Sequence, residues 1–220
     1  MVAGHGRADV ERALRRTFLS LLAAAGFCFC AQPALAGGGS YAFAGGTPAQ
    51  QATVRAALDA SSFDWSLIPK TITVHVGAYG DSYSTYGDVF LDATLLDSGR
   101  FAWGVVQHEF GHQVDFFLLD DAKRALLQQQ LGGVDWCYTT AGLAHAQHGC
   151  ERFASELAWA YWPSADNSMR PSATNDEAGA MPVAAFRALL AELLGVPSVA
   201  AAPAQTKAYA PAVRRPRPKR

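Results

Sequence analysis

The residues best suited to chemistry occupy positions 108–112, which read His-Glu-Phe-Gly-His. Because an α-helix turns about 100° per residue, side chains four positions apart lie on one face of it. His108 and His112 can therefore bind one metal ion together, with Glu109 beside them. Two imidazoles and a neighbouring carboxylate predict a zinc ion, with Glu109 positioned to act as a base on a water molecule.

The elements around this motif predict an α+β fold with a small mixed sheet packed on the motif helix. The motif lies in an apolar run, Phe101–Leu119, which predicts a helix with Ser98 as its N-cap. Residues 70–76 alternate in polarity and predict a strand, residues 77–87 predict a loop, and residues 88–92 predict a short strand. Further helices are predicted over residues 48–60, 121–131, 151–162 and 182–194.

Zinc needs a third protein ligand, and two glutamates on the later helix are the candidates. The metzincin pattern would place a glycine and a histidine after His112, where this chain has Asp115 and Leu118, so that pattern is excluded. Glu151 and Glu156 lie five residues apart, about 140° around a helix, so only one of them can face the metal. Metal binding through the cysteines is a weaker alternative.

The first 36 residues predict a signal peptide that is cleaved after Ala36. Basic residues begin the segment, an apolar stretch covers Thr17–Cys30, and small residues precede the predicted cleavage site. Arg15 and Arg16 resemble the twin-arginine export signal, although an ordinary signal for unfolded export fits nearly as well. We therefore expect a secreted protein, either extracellular or periplasmic.

Cleavage of this segment leaves only Cys137 and Cys150 in the mature chain. Two cysteines in an exported protein predict one disulfide bond. Cys150 directly precedes Glu151, so this bond would fix the start of the later helix. That position favours Glu151 over Glu156 as the third ligand.

The motif and the Glu-x-Phe-Ala run that begins at Glu151 resemble the gluzincins, which are zinc metallopeptidases with a glutamate ligand on a later helix. They are also similar to the catalytic domain of the anthrax-lethal-factor type. The resemblance covers about residues 105–161. It implies a zincin-like fold, zinc binding by Glu151, and hydrolysis of peptide bonds with Glu109 as general base. It also implies that strand 88–92 pairs with an extended peptide substrate.

Two further roles stay open at this point. Asp115 could orient an imidazole of the metal site, or it could cap the helix or form a surface salt bridge. The group that stabilises the oxyanion could be any of four residues, namely Tyr138, His145, His148 and Tyr161.

Two classes of function fit these features. The first is an exported zinc-dependent peptidase, more readily an endopeptidase than an aminopeptidase, acting on a peptide or protein substrate. The alternative is a non-catalytic, zinc-stabilised secreted binding module that retains the zincin fold. Glu109 favours the peptidase, because a purely structural zinc site does not need that carboxylate.

Composition predicts one mature domain and a basic tail. The chain has 220 residues, half of them hydrophobic and 17% charged, which is typical of globular proteins. We assign residues 37–197 to the metallopeptidase domain and expect residues 198–220, rich in Pro and Ala, to be disordered. This tail ends in several basic residues and could contact an anionic surface. We expect a monomer, with no nucleic-acid partner and no membrane span after the signal peptide.

Overall fold

The computed structural model describes residues 39–172 and 176–197. These residues form a four-stranded mixed sheet and six helices, so the predicted α+β class is confirmed. The predicted signal peptide (1–36) and basic tail (198–220) lie outside the described residues. Within the described part, no helix combines the length and the apolar character needed to cross a membrane.

The strands are β1 (Tyr41–Gly45), β2 (Ile72–Gly77), β3 (Tyr83–Thr85) and β4 (Asp88–Asp92). The helices are α1 (Pro48–Ala60), α2 (Ala93–Leu96), α3 (Phe101–Leu118), α4 (Asp121–Leu131), α5 (Gly149–Tyr161) and α6 (Val183–Leu194). Single turns of 3₁₀ helix occupy Trp65–Leu67, His145–Gln147 and Glu177–Gly179. The predicted helices are thus confirmed, with ends that shift by one or two residues.

The sheet has the strand order β1-β2-β4-β3. Strands β1, β2 and β4 are parallel, and β3 runs antiparallel to β4. The sequence predicts a loop over residues 77–87, which is wrong for Tyr83–Thr85 because these residues pair with β4 across a turn at Tyr86 and Gly87. Gly87 has a φ of +86°, a left-handed conformation that glycine adopts without strain and that this turn requires.

This topology also corrects which strand can pair with a substrate. Strand β4, residues 88–92, lies between β2 and β3, so both of its edges are already paired. Strand β3 forms the edge of the sheet instead. Any peptide that extends this side of the sheet must therefore pair with β3.

One face of the sheet is buried under the helices. Ile72, Val74 and Val76 alternate inward along β2, and Val89 and Leu91 do the same along β4. Helix α3 contacts β3 and β4, and it packs between α1 and α5. The motif helix is therefore the central element of the core.

Helix α3 begins at Phe101, and the predicted N-cap at Ser98 is wrong. Arg100 occupies the N-cap position and makes no capping bond through its side chain. The backbone N–H of Ser98 donates to Leu95 O, so Ser98 belongs to the turn that closes α2. Gly99, with a φ of +75°, separates that turn from α3.

A buried carboxyl in α5 makes the stability of this fold dependent on pH. The side chain of Glu156 is 0% exposed. Burial raises the pKa of Glu156 from 4.5 to about 8, although the backbone N–H groups of Met181 and Ala180 act in the opposite direction. Between these two values the folded protein keeps a proton that the unfolded chain releases. The free energy of unfolding therefore falls as the pH rises through this range.

We expect the variant Glu156→Gln to lose this pH dependence, because glutamine matches the shape of the protonated acid. Wild-type protein should lose at most about 1.4 kcal/mol of unfolding free energy per pH unit relative to the variant between about pH 5 and pH 8. Urea unfolding at several pH values measures the difference. Glu192→Gln, at an exposed position of α6, is the matched control and should keep the wild-type slope. Parallel curves for wild type and Glu156→Gln would contradict the assignment.

Candidate metal centre

Helices α3 and α5 approach each other closely at Gly111. A Cβ atom at this position would lie 3.0 Å from Ala154 Cα and 3.2 Å from Ala154 Cβ. The small residues on both helices thus let the two backbones come nearly into contact. This contact lies one residue before His112 and three residues after Glu151, so it brings the ligand-bearing turns of both helices together.

The side chains of His108, His112 and Glu151 form a candidate metal-binding group. Their ligand atoms all lie within 4.8 Å of one another, and all three residues are buried. Glu151 Oε2 is 3.1 Å from His108 Nε2 and 3.2 Å from His112 Nε2. The two Nε2 atoms are themselves 3.2 Å apart. The structure thus brings together the two motif histidines and the glutamate that the sequence favours as third ligand.

The electrostatics of this group centre on Glu151. Burial disfavours its charge, but hydrogen bonds with His108, His112 and His145 hold the pKa of the carboxyl well below its usual range. Burial would lower the pKa of His112, but the bond with Glu151 outweighs it and raises that pKa. Without a metal, the buried carboxylate is thus compensated by the surrounding imidazoles.

A second layer of contacts orients His108. Its Nδ1 atom lies 3.0 Å from Ser155 Oγ, on the turn of α5 that follows Glu151. The Ser155 hydroxyl in turn donates to Glu177 Oε2 at 3.0 Å. Because these bonds occupy Nδ1, the Nε2 atom of His108 points to the other two ligand atoms. Neither residue is predicted by the sequence, since a serine inside a helix and a glutamate in a polar segment carry no local signal.

Glu109 lies beside the metal-binding group but is not part of it. The hydroxyl of Ser84, on the edge strand β3, is 2.9 Å from both Glu109 Oε2 and the Glu109 backbone oxygen. The carboxylate is therefore turned toward β3. The amide of Gln113 holds the β3–β4 turn through the backbone of Thr85, Gly87 and Asp88.

The predicted disulfide joins Cys137 to Cys150, with a Cα–Cα distance of 5.4 Å. It ties the segment before α5 to the first turn of that helix. His148 Nδ1 lies 2.6 Å from Asp135 Oδ1 inside the same segment. Burial opposes ionisation of Asp135, but bonds from His148 and from the Thr140 backbone lower its pKa to about 2.

Of the four candidates for stabilising an oxyanion, Tyr138 and His145 reach Glu151. His145 Nε2 is 3.0 Å from Glu151 Oε2, and its Nδ1 is 2.9 Å from Glu177 Oε1. These two carboxylates raise the pKa of His145 to about 10. Burial and then the charge of Glu151, to which its hydroxyl is hydrogen-bonded, raise the pKa of Tyr138 well above its usual value. Both groups therefore keep their protons at neutral pH and can donate them to a hydrogen bond.

The other two candidates lie elsewhere. His148 is buried against Asp135, and the ring of Tyr138 packs on it at 4.0 Å between centroids. It therefore positions Tyr138 rather than facing the metal-binding group. Tyr161 lies in the core, where its ring contacts Phe63 and the guanidinium of Arg187.

Asp115 makes its hydrogen bonds away from the imidazoles. Its Oδ1 accepts from Arg124 Nε at 2.7 Å, and its Oδ2 accepts from Trp136 Nε1 at 3.1 Å. The buried carboxylate thus links α3 to α4 and to the segment that carries the disulfide. Among the described contacts of Asp115, none is a hydrogen bond with His112, and its negative charge acts on that imidazole only through space.

We expect Glu151→Ala to lower affinity for a divalent metal by more than about 100-fold, since loss of an outer partner alone typically costs 10- to 100-fold. Glu156→Gln, one and a half turns later in α5, is the matched control and should keep the metal. Metal content by mass spectrometry and competition with a chelator measure both variants. Circular dichroism checks that each variant folds. Loss of metal from Glu156→Gln alone would move the ligand to that position.

Comparisons with known proteins identify no relative of this chain. No protein-family model matches it, and neither does any curated protein or any solved structure. The metal-binding group, Glu109, and the two donors beside Glu151 are therefore the observations from which a function follows.

Proposed function

We propose that this protein is an exported zinc-dependent peptidase of the gluzincin type, with a zincin-like fold. The observation that carries the proposal is the convergence of His108, His112 and Glu151, with the carboxylate of Glu109 adjacent to them but turned aside. A group that only binds metal has no use for a second, separately held carboxylate. A hydrolytic site needs one as its base.

The donor set supports zinc as the metal. Two imidazoles and one carboxylate are the protein ligands of catalytic zinc sites that keep one position open for water. The alternative cysteine site is disfavoured, because Cys137 and Cys150 are joined to each other. Ser155 on His108 supplies the outer contact that such sites use to orient a ligand.

The residues around this group can each perform one step of hydrolysis. Zinc, when bound, supplies a Lewis acid that lowers the pKa of water to about 7 and polarises a carbonyl group. Glu109 accepts the proton of the attacking water and delivers it to the leaving amine. Ser84 holds the carboxylate of Glu109 away from the metal ligands, which keeps it free for this task. Tyr138 and His145 donate hydrogen bonds to the oxyanion that forms.

The edge strand supports an extended peptide as the substrate. Ser84 of β3 contacts Glu109, so a chain paired along the free edge of β3 would pass beside the base. Such pairing uses backbone hydrogen bonds and does not require a free chain end. The arrangement therefore favours an endopeptidase.

The disulfide supports export. Bonds such as Cys137–Cys150 persist in oxidising compartments and are rare in the cytosol. The predicted signal peptide points in the same direction. Detection of the mature chain, cleaved after Ala36, in a periplasmic or culture-medium fraction tests this part of the proposal, and full-length chain confined to the cytosol would contradict it.

We expect Glu109→Gln to retain bound metal and to lose hydrolysis by at least about 100- to 10,000-fold, because the amide cannot accept the proton. The assay is cleavage of a proteome-derived peptide mixture by the mature protein, with and without a chelator. Glu192→Gln is the control for an exposed glutamate. A fully active Glu109→Gln variant would refute the mechanism. Wild-type protein that binds zinc but cleaves nothing would favour the alternative, a non-catalytic zinc-stabilised binding module.

We expect Tyr138→Phe to lower kcat about 100-fold while changing KM little, since a donor to the oxyanion acts mainly in the transition state. Tyr161→Phe, which removes the same hydroxyl from the core end of α5, is the matched control and should keep the wild-type kcat. Steady-state kinetics on one cleaved peptide measures both variants. A rise in KM at constant kcat would assign Tyr138 to substrate binding instead.

A further inference from the structure

Three side chains form a continuous stack of rings on the sheet face that points away from the helices. His75 of β2 and Phe90 of β4 are cross-strand partners, with centroids 4.4 Å apart and planes within 7°. Phe90 and Tyr83 of β3 are partners in the next pair, at 4.6 Å and 9°. The stack therefore crosses three strands and ends at the edge of the sheet.

Contacts with neighbouring groups hold this stack in place. The Nε2 atom of His75 lies 2.7 Å from Asp88 Oδ1, which fixes the inner ring. Tyr79 meets both Phe90 and Tyr83 edge-on, with interplanar angles of 84° and 76°. The carboxylate of Asp92 accepts from the backbone N–H of Tyr79 and so fixes that tyrosine's position. The rings are thus ordered before any ligand arrives, which lowers the entropy cost of binding.

The spacing of the rings matches the spacing of strands. Neighbouring strands lie about 4.7–4.9 Å apart, and the ring centroids here are separated by 4.4 and 4.6 Å. A strand added at the free edge of β3 would therefore place one side chain against the outer face of the Tyr83 ring. Tyr83 is 46% exposed, and in the described part of the chain no strand covers the outer side of its ring.

The same edge strand, β3, also contacts the candidate base, Glu109. Ser84 follows Tyr83 in β3, points to the opposite face of the sheet, and bonds to Glu109. A substrate residue that faces Ser84 therefore lies beside the base, and the residue that faces Tyr83 is its direct neighbour in the substrate. An aromatic substrate residue that faces Tyr83 would extend the stack. Its neighbour in the substrate, which faces Ser84, would lie beside Glu109.

We propose that Tyr83 is a specificity-determining residue, which selects an aromatic side chain in a peptide bound along the free edge of β3. This inference rests on the proposed peptidase function and names its substrate class, which is extended peptides with an aromatic residue next to the residue that faces Ser84. The recognition is ring stacking that continues the row His75–Phe90–Tyr83.

The test uses the zinc-loaded mature protein. A degenerate peptide library first identifies the substrate position at which cleavage is selective. Two peptides that differ only by Phe or Ala at that position are then compared. Wild-type protein should prefer the aromatic peptide in kcat/KM. Tyr83→Ala should reduce that preference roughly three- to tenfold, the effect of one aromatic pair, and Tyr83→Phe should keep it. Phe101→Ala removes an exposed aromatic ring at the start of α3 and is the matched control, with an unchanged preference.

Each outcome decides the inference. A library that shows no aromatic preference at a fixed position overturns it, and so does a Tyr83→Ala variant with the wild-type ratio. Tyr83→Thr, which suits a strand, provides the same comparison if the alanine variant fails to fold. A zinc-loaded wild-type protein that cleaves no peptide at all overturns the proposed function itself. That result is distinct from cleavage without selectivity, which overturns only the role of Tyr83.

Discussion

The close contact of α3 with α5 at Gly111 is the constraint on which the site depends. With 3.0 Å between a Cβ at this position and Ala154 Cα, one added methyl group would fit only if the two helices gave way by a few tenths of an ångström. Such a shift would lengthen the contacts of Glu151 with the two imidazoles. Backbone proximity, set by two small residues, therefore fixes the distance between candidate ligands that lie about 40 residues apart in the chain.

The helix contact also explains why so much charge can be buried here. Glu151 gathers three imidazoles around one carboxylate oxygen, and Glu177 supplies a further carboxylate behind His145. Buried charges persist only when they are paired or bind a metal. The network pairs each of them through a hydrogen bond of ordinary length. The same imidazole nitrogens and carboxylate oxygen could instead hold a divalent cation.

Sequence patterns predicted the parts of this structure that local spacing determines. Helix α1 keeps its predicted bounds and begins with a capping box of Thr47 and Gln50, and the motif helix places both histidines on one face. Strand β3 was missed because three residues carry no periodicity of their own and are defined only by pairing with β4. The roles of Ser84, Ser155 and Glu177 likewise depend on contacts between distant segments. No spacing rule could separate Tyr138 from the other oxyanion candidates, since the disulfide-closed segment determines where it points.

The hairpin of β3 and β4 is anchored to α3 in a way that leaves its outward-facing side chains free to change. Gln113 makes its three bonds to this hairpin with backbone atoms only, at Thr85, Gly87 and Asp88. Replacing the outward side chain of Tyr83 keeps those atoms in place, provided that Gly87 retains its conformation. The outward face of the hairpin can therefore diversify, in evolution or by engineering, while the two histidines of the helix behind it stay in place.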